Sequence, residues 1–387
     1  MAHFSIPDHI IVGCGAIKEA LPYLEQYGHH VFIVTGKHVG KSPMLEQLLT
    51  ALKSIRTQYT VFDDITGEPT DEMIAAGCKA YTENGCDCLI GIGGGSPLDS
   101  AKAIAAMIAN KGSISDYMGL EIGGEIPPIV AIPTTAGTGS EATKFTVITD
   151  SKKGVKMLLK GEKLIPKLAI VDSDYTMDMP KSVTAATGLD ALTHAIEAYT
   201  SKKAMCLTDS YALSAIKRIV KYLPVAYHNG YDVQARTELS IAALEAGICI
   251  NNSSVTIVHG MSRPIGALFH VPHGLSNAML LCDCIAFAMK DNYTRFAEIS
   301  RAIGAAAGQD TEQEAAEKLI LVLNELCKAC EVPTLRSYGI SENDFMVSIE
   351  KMSQDAIASG SPGNTRRPVS IYDCIEIYAK VYDKQAF

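Results

Sequence analysis

Hydrophobic and polar positions follow two different periods along the chain, and the period changes near the middle. In the first half, short runs of β-branched and other apolar residues predict strands at 10–12, 31–35, 59–62, 88–92, 129–132 and 168–171. Segments with helical spacing lie between several of these runs, at 17–27, 44–55, 71–84 and 98–109. Strands that alternate with helices predict a mostly parallel sheet covered on both faces.

After about residue 180 the strand pattern fades and helical spacing dominates. We predict about seven helices, at 181–200, 208–223, 232–250, 253–268, 291–306, 311–330 and 342–356. The sequence therefore predicts two domains, an α/β domain over residues 1–180 and an all-α domain over residues 181–387. Two domains is also the number expected for 387 residues.

Composition narrows the classes of function. Hydrophobic residues make up 47% of the chain, which excludes disorder of the whole chain. The formal net charge is −9, so the chain has no overall positive charge with which to bind nucleic acid or an anionic membrane surface. No apolar run reaches the ~18 residues of a membrane span, and the first residues lack a signal-peptide pattern. The eleven cysteines include a single CxxC pair, Cys327 and Cys330. We therefore expect buried thiols in a cytoplasmic protein rather than a zinc ribbon.

A glycine-rich loop follows the predicted strand 88–92. It consists of Gly93, Gly94, Gly95, Ser96 and Pro97, and a helix comes after it. Glycines let a ligand approach the backbone closely, and the start of a helix offers free N–H groups to a phosphate. The loop is not the GxGxxG fingerprint, so a tight turn without a ligand is the alternative.

A second loop of small polar residues follows the strand 129–132. Its hydroxyls come from Thr134, Thr135, Thr138 and Ser140. By itself this loop could be a helix-capping cluster. Two such loops in one α/β domain favour a dinucleotide at the carboxyl ends of the strands.

Candidate metal ligands occur in the second half. Asp190 and His194 are four residues apart, which places both on one face of a helix. His259, His270 and His273 follow among apolar residues and glycines. One carboxylate and three imidazoles could hold a divalent first-row metal, although a histidine on an apolar helix is more often a core residue. Spacing does not decide between His270 and His273.

Five segments, in this order, resemble the iron-containing alcohol dehydrogenases, and most of all their lactaldehyde reductase and 1,3-propanediol dehydrogenase branch. They are GGGSPLDSAKAI at 93–104, PTTAGTGSEAT at 133–143, ATGLDALTHAIEAY at 186–199, HGMSRPIGALF at 259–269 and VPHGLSNAMLL at 271–281. The resemblance covers essentially the whole chain. It implies a Rossmann-like dinucleotide-binding domain and a C-terminal helical metal-binding domain, the dehydroquinate synthase-like fold, with the active site in the cleft between them.

The resemblance also implies site residues and a reaction. The implied metal ligands are Asp190, His194, His259 and His273, which selects His273 over His270, and the metal is Fe²⁺ or another divalent ion such as Zn²⁺. The implied cofactor contacts are Gly94, Gly95, Ser96, Asp99, Thr134, Thr135, Thr138, Val147 and Lys156. Hydride would pass between C4 of a nicotinamide and a small primary alcohol, diol or aldehyde. The family further suggests a homodimer or a larger homo-oligomer.

The chain differs from the family that it resembles after the strand 31–35. Many NAD-using members carry Asp there, whereas this chain has Gly36 and Lys37, with Lys41 nearby. Loss of a carboxylate and gain of two cations should admit a 2′-phosphate, so we expect NADP(H) to be favoured over NAD(H). An ordinary solvated loop is the alternative.

A second departure is Arg263, which stands where the family often has histidine, one turn after His259. Arginine cannot relay a proton because it stays protonated. As a catalytic-site residue it could instead hold an anionic substrate group, so a reductase of a sulfonated, phosphonated or carboxylated aldehyde is the alternative function. A glycerol-dehydrogenase-like or dehydroquinate-synthase-like enzyme is disfavoured, because those relatives hold their metal with three protein ligands. A non-catalytic scaffold is also disfavoured, because it would have no use for the full ligand set.

Overall fold

The computed structural model describes residues 3–290, 292–384 and 386–387. The chain divides into two compact parts, which we call the α/β unit (Phe4–Asp178) and the helical unit (Met179–Phe387). Among the described residues, no single helix combines the length and apolar composition of a membrane span. The helices Val233–Asn252 and Ile257–Phe269 pass that test only as a pair bent by 103°.

All strands that the structure describes lie in the α/β unit. They are β1 (His9–Val12), β2 (His30–Val34), β3 (Gln58–Phe62), β4 (Cys88–Gly93), β5 (Ile129–Pro133), β6 (Phe145–Asp150), β7 (Val155–Lys160) and β8 (Leu168–Val171). Six of them form a parallel sheet in the order β1-β8-β5-β4-β2-β3, which confirms the predicted sheet. The antiparallel hairpin of β6 and β7 was not predicted, because its buried positions alternate with exposed ones and both sets mix polar and apolar side chains.

Helices cover both faces of this sheet. They are α1 (Ala16–Glu19), α2 (Leu21–Tyr27), α3 (Pro43–Ser54), α4 (Asp71–Glu83) and α5 (Gly95–Ala109). Alternate residues of β2 point to opposite faces. Val31 and Ile33 join a core with α1, α2 and α3, whereas Phe32 and Val34 join a core with α4, α5 and the hairpin.

The strand order changes direction beside β2. The chain passes from β2 to β3 on one side and then places β4 on the other side of β2. The carboxyl ends of β2 and β4 are tied together there, because the Thr35 hydroxyl donates to the carbonyl oxygen of Ile92 at 2.8 Å. Ligands of open α/β sheets bind at such a switch point, just beyond the strands.

The helical unit contains ten helices among the described residues. They are α6 (Lys181–Thr200), α7 (Cys206–His228), α8 (Val233–Asn252), α9 (Ile257–Phe269), α10 (His273–Ala288), α11 (Tyr293–Ala302), α12 (Glu312–Ala329), α13 (Leu335–Tyr338), α14 (Glu342–Ala358) and α15 (Ile371–Asp383). The helical class is as predicted. The predicted number of helices was too low, because the sequence pattern did not indicate α10, α13 and α15. The predicted helix 291–306 begins at residue 291, which lies outside the described residues.

Candidate active site

The four predicted metal ligands lie near one another inside the helical unit, and three of them, Asp190, His259 and His273, offer ligand atoms that are all within 4.8 Å of one another. Asp190 and His194 lie one turn apart on α6, His259 lies in the first turn of α9, and His273 begins α10. Oδ1 of Asp190 lies 3.8 Å from Nε2 of His194, 3.5 Å from Nε2 of His259 and 3.8 Å from Nε2 of His273. A single carboxylate oxygen is therefore the point that the three imidazoles share.

The close packing of α10 on α6 brings His273 to this point. Gly274, the second residue of α10, faces the carbonyl of Ala186 on α6, and a methyl group at this position would collide with that carbonyl. Only glycine permits this approach. The His194 and His259 rings stack with their centroids 4.5 Å apart, which joins α6 to α9.

Glu197 fixes the orientation of His259. It is fully buried on α6, and one of its oxygens lies 2.5 Å from Nδ1 of His259. The other oxygen accepts from the Thr256 hydroxyl and the Val258 N–H, both at 2.7 Å. Because Nδ1 donates to this carboxylate, Nε2 of His259 keeps its lone pair for a metal.

Asn277 lies one turn after His273 on α10 and is fully buried. Its Nδ2 lies 2.7 Å from Oδ1 of Asp190, and also 3.1 Å and 3.3 Å from Nε2 of His259 and of His273. The short contact to the carboxylate is a charge-assisted hydrogen bond, which orients Asp190.

The charge state of the cluster follows from these contacts. Burial opposes ionisation of Asp190, but the imidazoles of His194 and His273 hold the pKa of its carboxyl well below the ordinary value. Burial favours neutral His259, but Glu197 and Asp190 raise the pKa of its imidazole.

His270 lies apart from this cluster, since it ends α9 in a left-handed conformation, with φ 55°, and its side chain is exposed.

The glycine-rich loop of the α/β unit is shorter than the sequence predicts, because α5 already begins at Gly95. Gly93 has a φ of 148°, which favours glycine, and a side chain there would collide with Pro97. Gly94 caps the helix without any side-chain hydrogen bond. Gly95 and Ser96 therefore stand in the uncapped first turn, where backbone N–H groups can bind a phosphate.

The threonine loop packs directly against this helix start. The N–H of Thr134 donates to the Gly93 carbonyl at 2.8 Å. A Cβ placed on Gly95 would lie 3.0 Å from Cγ2 of Thr138, and one on Gly94 would lie 3.5 Å from Cγ2 of Thr135. The two loops predicted to hold a dinucleotide are thus neighbours.

Asp99 and Val147, two of the predicted cofactor contacts, bond to each other. Oδ1 of Asp99 accepts from the Ser140 hydroxyl at 2.7 Å, and Oδ2 accepts from the Val147 N–H at 2.8 Å. Burial raises the pKa of the Asp99 carboxyl. Both of its oxygens are used inside the protein.

Two of the three predicted cofactor lysines have carboxylate partners. Nζ of Lys37 lies 2.9 Å from Asp63 and 2.6 Å from Asp64, both of which follow β3. Nζ of Lys156 lies 2.5 Å from Glu68. Lys41 has no carboxylate within 4 Å among the described residues, and it lines a surface pocket with Lys37.

Comparison with known protein families identifies both parts of the chain. Residues 7–173 match the model of the iron-containing alcohol dehydrogenases, and residues 184–382 match the C-terminal model of the same family. The chain belongs to the iron-containing alcohol dehydrogenase family. It is thus a member of a family of alcohol and aldehyde oxidoreductases.

Individual members of this family of dehydrogenases align with nearly the whole length of the chain. NAD-dependent methanol dehydrogenase of Bacillus methanolicus is 35% identical over 97% of this chain and 99% of its own. A crystal structure of 1,3-propanediol oxidoreductase superposes with a TM-score of 0.95 at 31% identity, covering 98% of this chain and 100% of that one. Sulfoacetaldehyde reductase of Bifidobacterium kashiwanohense, solved with NAD⁺, has a TM-score of 0.89 at 27% identity and covers 100% of both chains.

The donor set of the cluster fits the metal that this dehydrogenase family implies. Tetrahedral bonds of ~2.1 Å separate ligand atoms by about 3.4 Å. The separations of 3.5 to 3.8 Å from Oδ1 of Asp190 are close to that value, and the ligand atoms of Asp190, His259 and His273 all lie within 4.8 Å of one another, a group that does not include His194. Three imidazoles and one carboxylate suit Fe²⁺, Zn²⁺ and their neighbours.

Arg263 of this dehydrogenase lies on α9 one turn after His259 and is partly buried. Its guanidinium donates to the Ser361 hydroxyl at 3.0 Å. Among the residues that the structure describes, no carboxylate lies within 4 Å of it. Its positive charge contributes to the field at His273.

Sequence reasoning missed two residues of the metal cluster of this dehydrogenase, Glu197 and Asn277. Both had a signal in the sequence. Glu197 follows Asp190 by seven residues and therefore shares its face of α6, and Asn277 follows His273 by four. Neither residue stands out until its partners are known to converge.

Proposed function

We propose that the protein is a metal-dependent, NAD(P)-linked alcohol dehydrogenase that acts as a reductase of small aldehydes and an oxidant of small primary alcohols or diols. The observation that supports this most is the convergence of three imidazole nitrogens on one carboxylate oxygen in the helical unit. The uncapped helix start after Gly94 in the α/β unit supports nucleotide binding.

Asp190, His194, His259 and His273 would hold the metal. A divalent ion bound by them supplies Lewis-acid chemistry, which lowers the pKa of an alcohol oxygen and stabilises the oxygen of an aldehyde. Glu197 keeps the proton of His259 on Nδ1 and away from the ligand nitrogen. Arg263 remains charged and so cannot accept the proton of the alcohol.

For the cofactor, we propose that NADP(H) is used at least as well as NAD(H). The absence of a carboxylate at Gly36 supports this preference, and so does Lys41, which has no ion pair within the described part of the chain. Lys37 contributes less than its sequence position indicates, because Asp63 and Asp64 already neutralise it.

A comparison of cofactors tests this preference. Lys41→Ala should raise the KM for NADPH about tenfold and leave the KM for NADH unchanged, because only the 2′-phosphate loses a charged partner. Lys111→Ala, on the exposed surface, is the control. A wild-type kcat/KM that is tenfold higher for NADH would refute the preference.

A second candidate function is the reduction of an anionic aldehyde. The observation in its favour is the guanidinium of Arg263, which has no carboxylate partner within the described residues. A partly buried cation of this kind can bind a sulfonate, phosphonate or carboxylate. The structural neighbour named sulfoacetaldehyde reductase shows that a related fold accepts such a substrate.

The reaction class is tested by oxidation of NADPH and NADH with propanal and with sulfoacetaldehyde, anaerobically. Turnover should require Fe²⁺ or Zn²⁺, disappear on chelation and return when the ion is restored. A large preference for sulfoacetaldehyde that Arg263→Ala abolishes would favour the second candidate. No turnover with either substrate and either cofactor would contradict the proposed function.

We also propose a cytoplasmic homodimer or larger homo-oligomer. The eleven cysteines are free thiols, eight of them buried, which suits a reducing compartment. Light scattering of the purified protein would give the number of subunits, and a monomer would contradict this part of the proposal.

A further inference from the structure

Lys102 is a fully buried lysine that the proposed reaction does not use. It lies on α5, and its side chain has no exposure to solvent. Burying an ammonium group is unfavourable unless hydrogen bonds replace its water, and lysine is among the residues least often buried. Burial lowers the pKa of Lys102 to about 8, while Asp99 and Glu141 act in the opposite direction.

All the hydrogen bonds of this ammonium group go to one segment of chain. Nζ lies 2.9 Å from the hydroxyl of Ser140 and 3.0 Å from that of Thr143. It also lies 2.8 Å from the Thr143 carbonyl oxygen and 3.0 Å from the Phe145 carbonyl oxygen. Lys102 therefore attaches residues 140–145 to α5.

Asp99 attaches the same segment from one turn earlier on α5. The Ser140 hydroxyl accepts from Lys102 and donates to Asp99 at 2.7 Å, so that a continuous hydrogen-bonded chain runs from the ammonium group to the carboxylate. The second Asp99 oxygen holds the Val147 N–H. We call Lys102, Ser140 and Asp99 the α5 clamp.

The clamp joins the segments that follow the two loops that we propose as the nucleotide site. Residues 140–147 continue directly from the threonine loop, and Thr138 of that loop packs on Gly95 at the start of α5. The helix whose first turn would bind the phosphates therefore also carries the groups that hold the threonine loop in place. A loop held in its bound shape before the ligand arrives loses less entropy on binding.

We propose that Lys102 and Asp99 are positioning residues for the dinucleotide and do not contact it directly. They hold the segment 134–147 against α5, so that the hydroxyls of Thr134, Thr135 and Thr138 keep one arrangement. This inference rests on the proposed function. It replaces the expectation, drawn from the family, that Asp99 touches the cofactor.

The test compares three variants of the full-length, metal-loaded protein. Lys102→Met keeps the aliphatic stem but removes every hydrogen bond, and Ser140→Ala removes only the central hydroxyl. Arg236→Met is the matched control, because Arg236 is also a fully buried cation, but in the helical unit, where it bonds Gly230 and Thr184. Binding of NADPH is followed by nucleotide fluorescence, which the absence of tryptophan makes simple, and hydrogen exchange reports on residues 134–147.

We expect the Kd for NADPH to rise about tenfold in Lys102→Met and about threefold in Ser140→Ala, because charge-assisted hydrogen bonds contribute more than neutral ones. The kcat at saturating NADPH should change less than twofold. Amides of 134–147 should exchange faster in both variants. Arg236→Met should melt at a lower temperature with an unchanged Kd.

Wild-type affinity in a folded Lys102→Met, with unchanged exchange over 134–147, would overturn the inference and leave the proposed function intact. If Lys102→Met does not fold, wild-type Kd and exchange in Ser140→Ala would overturn it. A wild-type protein that binds neither NADPH nor NADH would overturn the proposed function and, with it, this inference.

Discussion

At the scale of single residues, the metal cluster depends on two side chains that do not themselves serve as ligands. Glu197 holds the proton of His259 on the nitrogen that faces away from Asp190, and Asn277 orients the Asp190 carboxylate. Hydrogen-bond partners of this kind usually change metal affinity by 10–100-fold when they are removed. Both can be tested by metal affinity, independently of turnover.

Glu197→Gln should weaken Zn²⁺ binding on the order of tenfold or more, because a neutral amide makes the imidazole of His259 a poorer donor to the metal. Competition with a chromogenic chelator measures the affinity. Glu245→Gln is the control, because Glu245 is also buried but bonds Ser214 and Arg218 on α7. Equal affinities of both variants and wild type would contradict the role of Glu197.

Asn277→Ala should weaken Zn²⁺ binding about tenfold, since the carboxylate of Asp190 loses the hydrogen bond that orients it. Asn324→Ala is the comparison, because this amide donates to Ile320 of its own helix and accepts from Lys384, and it bonds no metal ligand. Tighter binding by Asn277→Ala would show that this amide competes with the metal instead of supporting it.

Glu141 predicts a pH dependence of stability. Burial raises its pKa to about 7, and Lys102 acts in the opposite direction. Folding therefore favours the protonated acid, so the stability from this group is present below pH 4.5 and is lost as the pH rises to about 7. The Glu141→Gln variant has no carboxyl group to ionise at this position, so it should not lose this stability as the pH rises. The stability of this variant relative to wild type should increase by about 3 kcal/mol between pH 4.5 and pH 8 in urea unfolding. A difference independent of pH would contradict the shifted pKa.

At the scale of secondary structure, the accuracy of prediction depended on how each element is buried. Strands such as β2 and β5 have neighbours on both sides in the sheet and consist of continuous apolar runs, so their limits were predicted within one residue. Helix α10 is apolar on most of its surface and shows little periodicity, so it was missed. The hairpin of β6 and β7 buries only alternate residues and was missed for the opposite reason.

The approach of α10 to α6 can be altered without touching a metal ligand. Gly274→Ala should push α10 away from the Ala186 carbonyl and move His273 away from Asp190, so Zn²⁺ affinity should fall on the order of tenfold. Gly308→Ala is the control, because open space surrounds that glycine. An unchanged affinity of Gly274→Ala would show that α10 can shift without displacing His273.

At the scale of the whole molecule, the proposed groups are divided between the two units. The phosphate-binding loops and the α5 clamp belong to the α/β unit, and the metal ligands belong to the helical unit. A ligand that binds only the folded state adds stability that depends on its concentration. Metal and nucleotide should therefore each stabilise the protein.

Zn²⁺ at 100 times its Kd should raise the free energy of unfolding by about 2.7 kcal/mol, and a chelator should reverse the gain. Thermal or urea unfolding measures it. His273→Ala should lose most of this added stability, whereas His270→Ala should keep it, because of these two histidines only His273 lies beside Asp190. The opposite result would reassign the ligand.

The α/β and helical classes follow from local patterns, because periodicity and loop composition are properties of neighbouring residues. Motif order was sufficient to indicate the family, and the spacing of Asp190 and His194 was sufficient to place both on one helix face. Spacing alone did not decide between His270 and His273, and the position of His273 beside Asp190, the partners of Lys37 and the internal use of Asp99 required the tertiary structure. In each case the decisive contact joins residues that are distant in the chain, and sequence spacing contains no information about such a distance.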